Sequence, residues 1–276
     1  MIFKEILPSL ALQPFVQNYL LVHLSNVPAA FSIKPYPTRV EQSLNFFARG
    51  HIKNHNPLTG TVANITPNAI FGQQVTRLNF ETLPQPDFLM LMVVFRPGAM
   101  HRLLGISSQE LTTEFCDAEA VFSPTLQAVN DQIANAKTYA EIIERAEEFL
   151  TIKARNVKKE SHGIDQIGQL LLENPAKFSL DWLANQACLS PRQFERKFSE
   201  RMGIGPKLYS RISRFFQAFQ YKEKHPQVDW LTVALQFGYT DYYHLSKDFK
   251  HFGNVTPSIL LQQNTQRPDL LVDLWQ

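Results

Sequence analysis

The apolar positions repeat at helical spacing over Leu10–Leu24, run in short bursts separated by proline, glycine and asparagine from Phe31 to Phe95, and return to helical spacing from Ser123 onward. In the first stretch Leu12, Phe15, Val16, Tyr19, Leu20 and His23 share a face, which leaves a short opening helix and an arm both open. The bursts predict strands at Phe31–Pro37, Glu41–Ala48, Gly60–Ile65, Ala69–Val75 and Phe88–Phe95, a rhythm that fits a β-sandwich or a small barrel. FLMLMVVF has no polar alternation and reads as a strand buried on both faces. FRPGAMHRLLGISSQEL then predicts a turn, a short helical segment and a second one started at Ser107 or Ser108. Further on, Leu126, Val129 and Ile133, then Tyr139, Ile142, Ile143, Ala146, Phe149, Leu150 and Lys153, predict an amphipathic helical pair whose other face carries Glu141, Glu144, Arg145, Glu147 and Glu148.

Between Phe178 and Met202 the pattern tightens into two helices joined by a turn. Ser179 is a good N-cap for a stripe of Leu180, Leu183, Ala184 and Ala187. Cys188 and Leu189 carry the chain round, and Ser190 before Pro191 starts a second helix, since proline at the first helical position forfeits no hydrogen bond. Phe194, Phe198 and Met202 face the first helix, leaving Arg192, Glu195, Arg196 and Ser199 outward. Such a helix suits the major groove, because arginine gives a paired hydrogen bond to the edge of guanine. Alone, the pattern equally describes an ordinary helical hairpin. It occurs twice, however: Ala184, Ser190, Phe194, Phe198, Gly203 and Pro206 match Ala234, Thr240, Leu245, Phe249, Gly253 and Pro257, which indicates a duplicated unit. The second outer face presents Tyr243, Ser246, Lys247 and Lys250, with Tyr242 and His244 at its edges. From Pro206 to about Lys224 one long helix joins the units, with Leu208, Tyr209, Ile212, Phe215, Phe216 and Phe219 at helical spacing.

LANQACLSPRQFERKFSERMGIGPKLY at 183–209 and ALQFGYTDYYHLSKDFKHFGNVTP at 234–257 resemble the AraC/XylS family of bacterial transcription regulators. Val233, Ala234, Gly238 and Tyr239 follow the family's second turn with ordinary variation, and His244 and Asp248 stand where many members have other polar residues. The segment 95–111 is similar to the one that follows the β-domain in a branch of these regulators. The helical pair after Ser123 has two readings, packing on the β-domain or the dimerisation surface that the family often places there.

Composition agrees with two folded domains: the 276 residues are 44% hydrophobic. Charge is unevenly divided, with 10 Lys and Arg against 13 Asp and Glu in residues 1–150 and 17 against 12 in 151–276, so the basic half is the one with the duplicated motif. Cys116 and Cys188 form no disulfide or zinc spacing, which fits a reducing cytoplasm. The start lacks the features of a secretion signal, and Phe88–Phe95 is too short to span a bilayer. His51 and His55 stand in a loop rich in asparagine and proline and read as surface residues, without the third ligand of a cupin metal site. Asp181 and Asp229 read as helix-start acids, and Trp182 and Trp230 as core packing.

The expected fold is therefore α+β. A β-rich, sandwich- or barrel-like domain with amphipathic helices near its end fills residues 1–160, an all-α domain with two helix-turn-helix units fills 161–267, and an apolar-acidic tail fills 268–276. The tail, with Leu270, Leu271, Leu274 and Trp275 beside Asp269 and Asp273, is expected to close the core of the second unit or to latch onto the N-terminal domain. The expected function is sequence-specific DNA-binding transcription regulation, controlled by a ligand or by oligomerisation through the N-terminal domain. A cupin-like enzyme with an accessory helical module is the alternative. The expected DNA-binding residues are Ser190, Arg192, Glu195 and Arg196 in the first unit and Tyr242, Tyr243, His244, Lys247 and Lys250 in the second. No catalytic residue, metal or cofactor is expected. The expected partners are double-stranded DNA, a small-molecule effector, a second copy of the chain and the transcription machinery, with no membrane.

Overall fold

A computed structural model describes residues 2–27, 34–112 and 115–265; the tail and the roles expected of it lie outside the described residues. Nine strands come first: β1 (Ile2–Ile6), β2 (Val16–Val27), β3 (Lys34–Tyr36), β4 (Ser43–Arg49), β5 (Ile52–His55), β6 (Val62–Asn64), β7 (Asn68–Phe71), β8 (Leu78–Thr82) and β9 (Gln85–Phe95). With β10 (Phe115–Asp117) they make a six-stranded sheet, β1-β2-β9-β4-β7-β10, and a four-stranded sheet, β3-β8-β5-β6, antiparallel throughout. Of the two architectures the rhythm allowed, the open pair of sheets is the one formed: β1 and β10 each pair on one side only, so no barrel closes among the described residues.

The long strand β9 is buried on both faces, as its unbroken apolar run predicts. Leu89, Leu91, Val93 and Phe95 enter one core, while Phe88, Met90, Met92 and Val94 enter the core between the sheets. The same physics overturns the helical reading of Leu10–Leu24. Tyr19 and Leu21 face one core and Leu20, Val22 and Leu24 the other, so β2 is a strand paired with β9. A strand buried on both faces loses its period of two, and its apolar residues then satisfy helical spacing by chance. The histidine loop is also a strand: β5 pairs with β6 and β8, and His55 Nε2 lies 2.7 Å from Glu81 Oε2 while His51 stays exposed.

The first core is covered by helices. After α1 (Ala99–Leu104), a 3-10 turn at Ser108–Leu111 capped by Ser107, and α2 (Ala118–Val121), the pair α3 (Leu126–Asn135) and α4 (Tyr139–Arg155) lies on the six-stranded sheet. Ile142, Phe149 and Leu150 are buried there, and burial of such groups at about 25 cal/mol per Å² is used up inside the domain. The stripe is thus internal packing, and of α4's large apolar residues Ile152 is the one left exposed.

Seven further helices follow: α5 (Gly163–Glu173), α6 (Leu180–Gln186), α7 (Pro191–Met202), α8 (Pro206–Lys224), α9 (Trp230–Gln236), α10 (Tyr242–Gly253) and α11 (Pro257–Thr265). They build a separate apolar core around Phe194, Phe198, Phe215, Phe219, Phe249 and Phe252, which Val40 of the β-domain joins. Sequence periodicity did not single out α5, whose start is fixed by a capping box between His162 and Asp165. Arg39 is buried where the cores meet, with its guanidinium 4.1 Å from the Tyr36 ring and 4.5 Å from the ring of Phe216 on α8.

Candidate nucleic-acid interface

Both short helical pairs are built from the same local parts. Ser179 caps α6 and Asp229 caps α9, each accepting from backbone amides of the first turn. Asp181 lies in the first turn of α6. At the turn Cys188 and Gly238 take equivalent left-handed conformations (φ 53° and 72°), and the next amides, Leu189 N and Tyr239 N, donate to Ala184 O and Ala234 O at 3.0 and 2.9 Å. The second turn then carries one extra residue, Thr240. The cap equivalent to Ser190 is therefore Asp241 rather than Thr240, and the left-handed residue equivalent to Gly203 is Asn254 rather than Gly253. Trp230 packs edge-on against Phe249, but Trp182 is 39% exposed and stacks on Phe178, so only one of the two tryptophans is core.

α7 starts at Pro191, with Ser190 and Gln193 forming a capping box. Phe194, Phe198 and Met202 are buried, while Arg192, Glu195 and Arg196 are exposed and stand in no ion pair among the described residues. Ser199 is half-buried. On α10, Leu245, Phe249 and Phe252 are buried, and Tyr242, Tyr243, His244, Lys247 and Lys250 are exposed. The Lys247 ammonium sits 4.4 Å from the Tyr243 ring centre. His244 is tethered, since its backbone amide donates to Asp241 Oδ1 at 2.8 Å and its Nδ1 lies 2.9 Å from the same oxygen. Those amide and ring hydrogen bonds hold the Asp241 carboxyl below the usual carboxylate range. All nine residues expected to bind DNA thus lie on or cap the outward faces of two equivalent helices, and the exposed charges on α7 and α10 are mostly cationic.

Three features escaped sequence reasoning. Asp248 is 4% exposed and faces inward, accepting from Arg211 Nη2 at 2.7 Å, Arg214 Nη2 at 3.3 Å and the Tyr239 hydroxyl at 3.2 Å. It ties α10 to α8, and burial beside it pushes the Tyr239 hydroxyl pKa up. Arg201, in the last turn of α7, is buried against Asp165 of α5 through two contacts of 2.6 Å and donates to Glu160 O at 3.0 Å. The ends of α7 and α10 also touch the β-domain, through Ser108, Thr112, Thr38 and Arg77. For Asp248 and Arg201 the buried stripes of their own helices were a legible clue; the β-domain contacts left none.

Comparison with known proteins is consistent with this geometry. A model described as a helix-turn-helix domain matches residues 183–263, and one described as a domain of unknown function, DUF6597, matches residues 4–117. No curated protein matches the chain in sequence. Among solved structures, ToxT from Vibrio cholerae strain SCE256 with a bound unsaturated fatty acid is similar at 12% identity and TM-score 0.50, over 91% of this chain and 97% of that one. ToxT from Vibrio cholerae O395 bound to (E)-4-(8-methylnaphthalen-1-yl)but-3-enoic acid gives 12% identity and TM-score 0.49, over 88% and 97%. An AraC-type DNA-binding-domain regulator from Chromobacterium violaceum gives 26% identity and TM-score 0.33, over 37% and 89%. The first likeness speaks to the fold alone: a sheet domain followed by a helical domain.

Proposed function

By its helix-turn-helix domain the chain belongs to the AraC/XylS family of DNA-binding transcription regulators, and from that premise we propose that α7 and α10 read successive major-groove segments of one bipartite site. The observation that carries this reading is the duplication: two capped helices, each anchored by aromatic or aliphatic residues and each turning cations outward. Arg192 and Arg196, with Glu195, are the base readers of the first half-site, and Tyr243 and Lys247 those of the second. Ser190, Tyr242, His244 and Lys250, at the ends and edges of the same faces, hold phosphates. We put the domain division at 160–161, a reading that the α5 cap at His162 supports.

Control passes through the N-terminal domain. An apolar effector is proposed for the space between the sheets, lined by Phe47, Ile52, Phe80, Met90 and Met92 and closed by Tyr36, Arg39 and Glu41. Its volume of about 40 Å³ holds one or two waters, so a ligand enters only if side chains yield, and the unbranched Met90 and Met92 yield most easily. ToxT, with its bound unsaturated fatty acid, is the precedent for an effector in this fold. A second copy and the transcription machinery are the further proposed partners. The helix-turn-helix domain matched at residues 183–263 supports reading the chain as a regulator rather than an enzyme. None of the described helices is long and apolar enough to cross a membrane.

The test is selection of binding sites from random DNA, followed by Arg196→Ala. The variant is expected to lose about 1–3 kcal/mol on the selected site and to relax preference at one base pair. Equal loss on selected and scrambled DNA would move Arg196 from base reading to phosphate binding.

A further inference from the structure

We infer that the β-domain sets the separation of the two reading helices, and hence the half-site spacing the protein accepts, through the positioning residues Thr38, Arg77, Ser108 and Thr112. This rests on the bipartite reading proposed above. The last carbonyls of any helix lack partners within it and must find donors elsewhere. In α7 the Arg201 carbonyl accepts from Ser108 Oγ at 2.9 Å, and in α10 the Phe252 carbonyl accepts from Thr38 Oγ1 at 2.9 Å. With the one-residue offset between the units, those two carbonyls occupy the same place in the duplicated helix. Beside each stands a second donor: Thr112 Oγ1 reaches Gly203 O at 2.9 Å, and Arg77 Nη1 reaches Gly253 O at 3.1 Å and Gln263 Oε1 at 2.9 Å.

The approach at α7 is as close as a glycine permits, because a Cβ on Gly203 would lie 2.9 Å from Thr112 Oγ1 and 3.0 Å from Gln73 Cβ. Ser108, Thr38 and Arg77 are all buried, so sliding either helix strands a carbonyl away from water. The linker α8 already joins the two units and packs on α10 through Phe215 and Phe219 against Phe249 and Phe252, as well as through Asp248. The β-domain adds a hold on the end of each helix at matching points. On DNA, one added base pair shifts the second half-site by about 3.4 Å along the axis and turns it by roughly a tenth of a revolution. A bracket closed at both ends resists that adjustment.

The experiment uses the full chain and its selected half-sites placed at the preferred spacing and one base pair longer or shorter. Thr38→Val and Ser108→Ala each remove one hydroxyl, and Thr38→Ser keeps it. Each hydroxyl deletion is expected to reduce discrimination between preferred and altered spacings by about fivefold, the worth of one such hydrogen bond, with Thr38→Ser retaining the parental profile. Thr38→Val and Ser108→Ala proteins that bind DNA with the parental spacing profile, even at lower thermal stability, would overturn the bracket while leaving bipartite reading intact. A parent that selects no bipartite site would instead overturn the reading, and the bracket with it.

Discussion

Asp248 stands on the buried stripe of α10 with Leu245, Phe249 and Phe252, so its inward direction was readable from spacing, but its partners were not. Arg211 and Arg214 lie one turn apart on α8 and meet it only after the two helices pack. Asp248→Asn removes the charge that two guanidinium groups share; because both arginines are partly exposed, a loss of about 1–3 kcal/mol in urea unfolding is expected, with base preference unchanged. No loss would mean that the hub adds nothing to docking. Glu41 makes a pH-dependent case. Burial pushes its carboxyl up to about 7, against the opposing pull of Arg39, so the folded chain holds the proton more tightly than the unfolded one. The folded state therefore binds more protons between the ordinary value of 4.5 and about 7, and stability falls as pH rises through that window. Glu41→Gln is expected to remove a fall on the order of 2–3 kcal/mol across it. An identical pH slope in the variant would contradict this. The outward positions, Arg192, Arg196, Tyr243 and Lys247, were fully legible, because a helix whose apolar residues share one stripe dictates what the opposite face holds.

Among the elements, the helices of the C-terminal domain were legible wherever caps and period agree, as at Ser179, Ser190–Pro191 and Asp229. Strands β1, β5 and β8 were not singled out, since Lys4, Glu5, Lys53, His55, Asn79 and Glu81 interrupt their apolar alternation and their identity comes from pairing with neighbours distant in sequence. β2 shows the opposite failure, a strand buried on both faces over Asn18–Val22, so that its apolar run carries no alternation. The two helix ends offer a matched comparison. Gly203 at φ 88° is crowded by Thr112 and Gln73, whereas Asn254 at φ 58° ends the equivalent helix. Gly203→Ala is expected to cost about 1–3 kcal/mol from left-handed strain plus crowding, while Asn254→Gly is expected to fall within about 0.5 kcal/mol of the parent. Chemical denaturation of both variants decides it, and equal effects would remove the close approach as a cause.

At the scale of the whole molecule, a β-domain with a net acidic sequence carries a helical domain with a net basic one, and the cations proposed to meet DNA are exposed on two equivalent helix faces. The two-domain plan was legible from the change in period and the duplicated motif. How the domains meet was not, because Thr38, Arg77, Arg39 and Ser108 look like ordinary loop and turn residues until α7, α8 and α10 are set against them. The central claim is that these two helices read one duplex together, and a protection footprint on the selected site measures it most directly. Two protected major-groove patches on one side of the duplex, about 10–10.5 base pairs apart, are expected, with Arg196→Ala weakening one and Lys247→Ala the other. A single patch, or one that responds to both substitutions alike, would contradict it.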